Sequence, residues 1–473
     1  MTLLTCAALT AALIIFSQLG SIFDGDEGTH LVALLLVRHG QRPFVDFYYW
    51  HEPLYLYVAA AWASMAGDSW RSVRVFSALC TALAACVIAT VAARDTATRM
   101  DAAKHSALAA IFFVLNGLVL RWGTMAHNYA LAVLCLTLTI AAVLRAAARA
   151  DLRAAIAAGF FAGAATASSL LLAPLIPIVS MWLLTHNRAG SGPRKLAAPI
   201  ASASVPFLPI ATLAWQAPWR TFFGVVLHNT YARVDAAETA DYHRELLTSA
   251  LQSPQLLLFA GLGVCAVLFP RVNGPQPRSS AFSLCTWLLA ALSLWIAAVR
   301  SPVHAVYTVV LAPMLALVAT AGVAALVERS RLRWIPTTVA AIFLTSQAAT
   351  SYRERVWHSD WARIERFAAA LVANTPPGAT VVSSSAFVHF AARRPPPAGF
   401  ENWWASEMPF RSDIFARAGL APAKEIVSRI GRGEFDTLLL PTADPRFDGA
   451  TLDRLYAHRV EVDRYFVLRW GRR

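Results

Sequence analysis

Along most of the chain the apolar residues come in long, nearly unbroken runs, without the alternation of a half-buried strand or the stripe of an amphipathic helix. Such runs fall at residues 3–20, 72–93, 105–120, 128–147, 154–169, 171–185, 196–214, 254–270, 281–299, 304–327 and 334–350, between charged or Pro/Gly-rich breaks. A bilayer-spanning helix needs about 20 mostly apolar residues, so the pattern predicts eleven spans. A further run at 53–67 is shorter, begins at Pro53 and carries Tyr55, Tyr57 and Trp62. Aromatic residues of this kind favour the membrane surface, where this segment is expected to lie. Beyond residue 351 the pattern changes. Helical stretches (Trp361 to Val372, Ala423 to Ile430) alternate with short β-like runs (Thr380 to Ser383, Thr437 to Leu440, Tyr465 to Trp470), around a Pro-rich turn at 391–400. The expected architecture is an all-α polytopic membrane domain over 1–351 and a small soluble α/β domain over 352–473.

Composition agrees and narrows the class. Of the 473 residues, 57% are hydrophobic and 15% charged, which excludes an ordinary soluble enzyme, whose charged fraction is about 25%. It also excludes disorder, whose signature is low hydrophobicity. A formal net charge of +13 raises nucleic acid or anionic lipid as a partner. Sorting the charges by loop removes that need. With the N-terminus cytoplasmic and 53–67 on the surface, the cytoplasmic loops hold 14 of the 23 Lys and Arg of residues 1–351: Arg94, Arg99, Lys104, Arg145, Arg149, Arg153, Arg188, Arg194, Lys195, Arg271, Arg278, Arg329, Arg331 and Arg333. That is the asymmetry of the positive-inside rule, and it places the tail and two long loops, about 21–71 and 215–253, outside. The apolar stretch after Met1 lacks a basic n-region and is expected to be retained as the first helix. The six cysteines all lie in apolar runs without metal-ligand spacing.

The acids are scarcer and more informative. Five of the fourteen in residues 1–351 crowd into the first outer loop: Asp24, Asp26, Glu27, Asp46 and Glu52. Asp26 and Glu27 are expected at the end of the first helix, before a short amphipathic helix from His30 to Arg38. Capping and the helix macrodipole account for carboxylates at such a place equally well. The order of motifs adds a functional reading: Asp26-Glu27, then Gly40, then Pro43-Phe44-Val45-Asp46, then His51-Glu52-Pro53. This sequence of elements resembles the first periplasmic loop of the GT-C membrane glycosyltransferases, in particular the protein O-mannosyltransferase-like, aminoarabinose transferase-like and lipopolysaccharide-core sugar transferase-like group. Asp24-Gly25-Asp26 also resembles the modified DxD of that superfamily.

The resemblance implies transfer of a sugar from a polyprenyl-phosphate carrier to an acceptor hydroxyl, on the periplasmic side of a bacterial inner membrane. It implies Asp26 as base and Glu27 as its support or the orienter of the acceptor. Asp24, Asp46, His51, Glu52, His228 and Tyr307 are then expected to contact substrate. Lipid phosphate leaves as an anion, so cations matter; the candidates are Arg74, Arg121, His127, Arg300 and His304. The stretch RSPVHAVYTVVLAPMLAL at 300–317 resembles the family's late His-x-x-Tyr segment, with His304, Tyr307 and Pro313 at the matching places. Snorkelling interface anchors explain Arg300 and His304 as well.

The chain departs from its relatives where GTMAHNYAL holds His127 and Asn128 in place of a second acid, and where Ser168-Ser169 replaces a Lys. No metal or other cofactor is therefore expected, although a divalent metal stays open. The partners implied are the polyprenyl-phosphate sugar donor, a lipid, polysaccharide or protein acceptor, and the bilayer, with no nucleic acid. The rival reading is a polytopic transporter or lipid flippase; it predicts ionisable groups at mid-membrane and repeated halves, whereas these charges sit at helix ends.

Overall fold

A computed structural model describes the chain except residues 1–2, 23–24, 95–98, 187–192, 229–239, 241–243, 245–246, 248–254, 269–279, 301–302, 330–334, 358–359, 443, 464–465 and 473. Asp24 therefore lies outside the described residues, as does most of the second long loop beyond His228. The chain forms two compact units, one of residues 1–19, 74–209 and 233–354, the other of 20–73, 210–232 and 355–473.

The first unit is helical. Its helices include α1 (Leu3–Ser17), most of α4 (Trp70–Ala93), α5 (Arg99–Val114), α6 (Gly117–Trp122), α7 (Asn128–Arg149), α8 (Leu152–Ser168), α9 (Leu175–His186), α10 (Pro193–Ser204), α13 (Gln255–Leu268), α14 (Ser280–Val299) and α15 (Ala312–Arg329). Among the described residues five segments are long and apolar enough to cross a membrane: Trp70–Ala93, Asn128–Arg149, Ala197–Gln216, Ala281–Val299 and Ala305–Val327. Several expected spans are divided instead. The run at 105–120 breaks because Asn116 caps a new helix, its side chain accepting the Leu118 N–H at 2.9 Å. The run at 304–327 opens with a 3-10 segment, Ala305–Leu311, followed by Pro313 in the first turn of α15, where a missing N–H is tolerated. Small residues let these helices approach closely. A Cβ on Gly159 or Gly163 of α8 would run into the backbone of Pro199 or Ala203 on α10, and one on Gly322 of α15 into that of Leu262 on α13.

The second unit gathers α2 (Asp26–Arg38), α3 (Leu54–Ala66), α12 (Pro218–Phe222), the π-helical turn Phe223–Leu227 and the tail. Asp26 and Glu27 do not end the first helix: α1 stops at Ser17, and Asp26 is the first residue of α2. The tail's helices at Asp360–Asn374 and Ala423–Gly431 and strands β1 (Val381–Ser383), β2 (Thr437–Pro441) and β4 (Phe466–Arg472) fall where the pattern put them. A further strand, β3 (Tyr456–Asp463), was not legible, because its residues are mostly exposed and polar on both faces. The sheet order is β1-β2-β4-β3, with β1 and β2 parallel and the other pairs antiparallel. Ile426, Ile430, Phe435, Leu438 and Leu440 form the core beneath it.

Candidate functional site

In the second unit the acidic loop builds a buried polar cluster. α2 opens with Asp26 and Glu27 in its first turn, where carboxylates complement the helix dipole. Glu27 is buried and Asp26 half-buried. The next residue, Gly28, has no room for a Cβ: Phe387 of α18 (Ala386–Ala391) lies 2.9 Å from where it would sit. One turn after Asp26, and so on the same face of α2, comes His30, only 2% exposed. Its Nδ1 is 2.8 Å from the Tyr49 hydroxyl. Its ring stacks on His51 at 4.7 Å and meets Tyr55 edge-on at 5.3 Å.

Burial pushes the Tyr49 hydroxyl well above the ordinary tyrosine range, and Tyr55, Glu52 and Asp26 add to the effect. The charges of Asp26 and Glu52 thus both reach the Tyr49 hydroxyl. Sequence reasoning proposed Asp26, Glu27, His51 and Glu52 but passed over His30, Tyr49 and Tyr55. The available signal was the four-residue step from Asp26 to His30.

Asp46 does a different job. Its two carboxylate oxygens bind the Arg42 guanidinium at 2.9 and 3.0 Å, and one also accepts the Arg42 N–H at 2.8 Å. Arg42 therefore holds the Asp46 carboxyl below its usual range. This clamp closes the turn in which Phe44, a buried non-glycine residue, takes φ +65°. His228 is also buried, with Nδ1 2.6 Å from the Tyr48 hydroxyl and its ring against Trp50, Trp404 and Phe410. Arg220 donates to the carbonyls of Val45 and Arg417 at 3.0 and 3.3 Å, linking the first loop to the tail.

In the first unit the candidate cations divide. Arg74 is fully buried, and its Nη1 donates to the Leu19 carbonyl at 2.6 Å. His127, also buried, is 2.6 Å through Nδ1 from the Asn128 side-chain oxygen and stacks on Tyr129 at 4.5 Å. Asn128 in turn donates to the Ser168 carbonyl at 2.7 Å, anchoring the histidine. The Arg300 guanidinium lies 4.8 Å over the Tyr307 ring, and His304 meets that ring edge-on at 5.4 Å. α6, with Arg121 in its last turn, packs against the same Ala305–Leu311 segment. Arg121, Arg300, His304 and Tyr307 therefore stand on neighbouring elements. Among the described residues no group of three or more His, Cys, Asp or Glu side chains has the arrangement of a metal site.

Residues 50–215 match the family model described as dolichyl-phosphate-mannose-protein mannosyltransferase. No curated protein sequence matches the chain. Among solved structures, the chain is similar to ArnT from Cupriavidus metallidurans bound to undecaprenyl phosphate, with TM-score 0.66 and 14% identity, over 98% of this chain and 97% of that one. It is similar to the apo state of the same protein with TM-score 0.68 and 13% identity, at the same coverage. The chain thus has, over nearly its whole length, the fold of ArnT.

Proposed function

We propose that the chain is a glycosyltransferase of a bacterial inner membrane, moving a sugar from a polyprenyl-phosphate donor to an acceptor hydroxyl on the periplasmic side. The observation that carries this reading is the half-buried Asp26 at the N-terminus of α2, whose charge, like that of Glu52, reaches Tyr49, in a chain with the fold of ArnT, which has been crystallised with undecaprenyl phosphate. The acceptor oxygen attacks the anomeric carbon as the bond from that carbon to the phosphate oxygen breaks. The acceptor's proton passes to Asp26, and the electron pair of the broken bond leaves on the lipid phosphate. Glu27 supports the base or orients the acceptor. Arg74, Arg121, His127, Arg300 and His304 hold the phosphate and Tyr307 contacts the substrate, a reading supported by the neighbouring elements that carry Arg121, Arg300, His304 and Tyr307. Asp24, Asp46, His51, Glu52 and His228 belong to the substrate side; Asp46 and His228 act there by shaping the loop. The reaction as written needs no metal. Eleven spans, with the N-terminus cytoplasmic and the tail periplasmic, complete the reading.

Asp26→Asn, assayed for sugar transfer from an undecaprenyl-phosphate-linked donor, is expected to lose about 10²–10⁴-fold in turnover while still binding undecaprenyl phosphate. Near-normal turnover removes Asp26 as base. Absence of any undecaprenyl phosphate binding by the native protein removes the donor.

A further inference from the structure

Tyr49 is fully buried, and among the described residues the hydrogen-bond partner of its hydroxyl is His30 Nδ1, at 2.8 Å. A buried phenol kept protonated must place its O–H on an acceptor. Donation to Nδ1 does so, and it leaves the ring proton of a neutral His30 on Nε2. Tyr49 is itself held from outside the first loop. The π-helical turn Phe223–Leu227 passes so close that a Cβ on Gly224 would strike the Tyr49 carbonyl and come within 2.8 Å of the Phe44 ring. That ring is fixed in turn by the left-handed backbone at Phe44. Strained residues and π-turns of this kind gather where geometry serves a site.

We propose that Tyr49 is a positioning residue that fixes His30 as the neutral Nε2–H tautomer on the Asp26 face of α2, and that the turn through Gly224 holds Tyr49 in place. The effect on turnover rests on the reading of Asp26 as base; the tautomer does not. Among the described residues, the titratable groups that bear on His30 are Asp26 and Glu27 on its own helix, Tyr49, His51 and Tyr55 in contact with its ring, and Glu52, whose charge reaches Tyr49. α18, packed on α2 through Phe387, turns His389 away, onto the Ser383 N–H and the Arg394 carbonyl.

The test is nitrogen NMR of the full chain in nanodiscs with labelled histidine, the His30 signal identified by its loss in His30→Gln. The native protein is expected to show a neutral His30 protonated at Nε2. Tyr49→Phe is expected to give mixed tautomers or a ring that titrates under the influence of the nearby carboxylates. Gly224→Ala is expected to do the same, whereas Gly431→Ala, where a Cβ meets open space, leaves the signal unchanged. A native His30 protonated at Nδ1, or the same tautomer in Tyr49→Phe, overturns the proposal. An unchanged signal in a folded Gly224→Ala overturns the role of the turn.

In the transfer assay, Tyr49→Phe is expected to lower turnover about tenfold to a hundredfold and to shift the pH profile, with undecaprenyl phosphate affinity within about twofold of native. An unshifted profile reduces Tyr49 to a packing residue. If Asp26→Asn keeps its turnover while the tautomer result stands, Asp26 is removed as base and the positioning pair survives.

Discussion

At the scale of single residues the carboxylates behave in opposite senses. Glu401 in the tail is buried, with one oxygen accepting the Gly399 N–H at 2.9 Å. Burial lifts its carboxyl to about 7, outweighing the backbone hydrogen bonds and the pull of Arg220. A carboxyl raised on folding stabilises the fold below its unfolded value and loses that contribution as pH rises through its folded value. The apparent melting midpoint of the purified chain is therefore expected to fall between about pH 5 and pH 8, by an amount on the order of 3 kcal/mol in free energy. Glu401→Gln is expected to flatten the dependence, and equal slopes in the two proteins exclude Glu401 as its source. Asp46 and Asp444 have the reverse sign: the arginine beside each, Arg42 and Arg446, holds the carboxyl low, so their contribution is lost as pH falls. The sequence made Asp26 legible because an acid at the mouth of an apolar run is rare. It did not expose His30, because a single histidine in an apolar stretch carries no pattern until Tyr49 and His51 are folded onto it.

At the scale of elements, helix packing depends on a few glycines. Gly163 sits where α8 touches α10, and an added Cβ would meet the Ala203 carbonyl. Gly163→Ala is expected to destabilise the protein by about 1–3 kcal/mol, read as a lower thermal aggregation midpoint in detergent. Gly261→Ala on α13, where a Cβ meets nothing, is expected to leave the midpoint unchanged or raise it. Equal behaviour of the two variants refutes the close approach as the reason for glycine at 163. Element existence was readable from long apolar runs, since twenty such residues have few soluble alternatives. The breaks were harder to read. Asn116 and Pro313 interrupt apolar runs by capping and by a missing N–H, features that leave hydropathy nearly unchanged. β3 escaped because a strand exposed on both faces has no alternating pattern to detect.

At the scale of the whole molecule, the topology read from the basic loops has a direct test. Ala457→Cys on β3, at an exposed position, is expected to react with a membrane-impermeant maleimide in cells whose outer membrane has been opened. Ser330→Cys is expected to react only after lysis, with the native protein and its six cysteines as background. Labelling of Ser330→Cys and protection of Ala457→Cys inverts the topology. The fold class was legible because it is written in composition and charge. How the loops and tail gather was not: residues 20–73, 210–232 and 355–473 form one unit through contacts such as Trp361 N–H to the Gly20 carbonyl at 2.9 Å. Pairings across such sequence distance leave no local trace.

The hydrogen bond from Arg74 to the Leu19 carbonyl sets the neck from which the first loop departs. The entropy of closing a loop grows only with the logarithm of its length, about 0.6 kcal/mol for each doubling. A change of length between positions 20 and 73 therefore alters the cost of closing the excursion little, whereas the close contacts of its packed residues, Gly28 against Phe387 and Tyr49 against Gly224, confine such changes to the positions outside them. Variation in this excursion is limited by its packing within the second unit rather than by the closure of its neck.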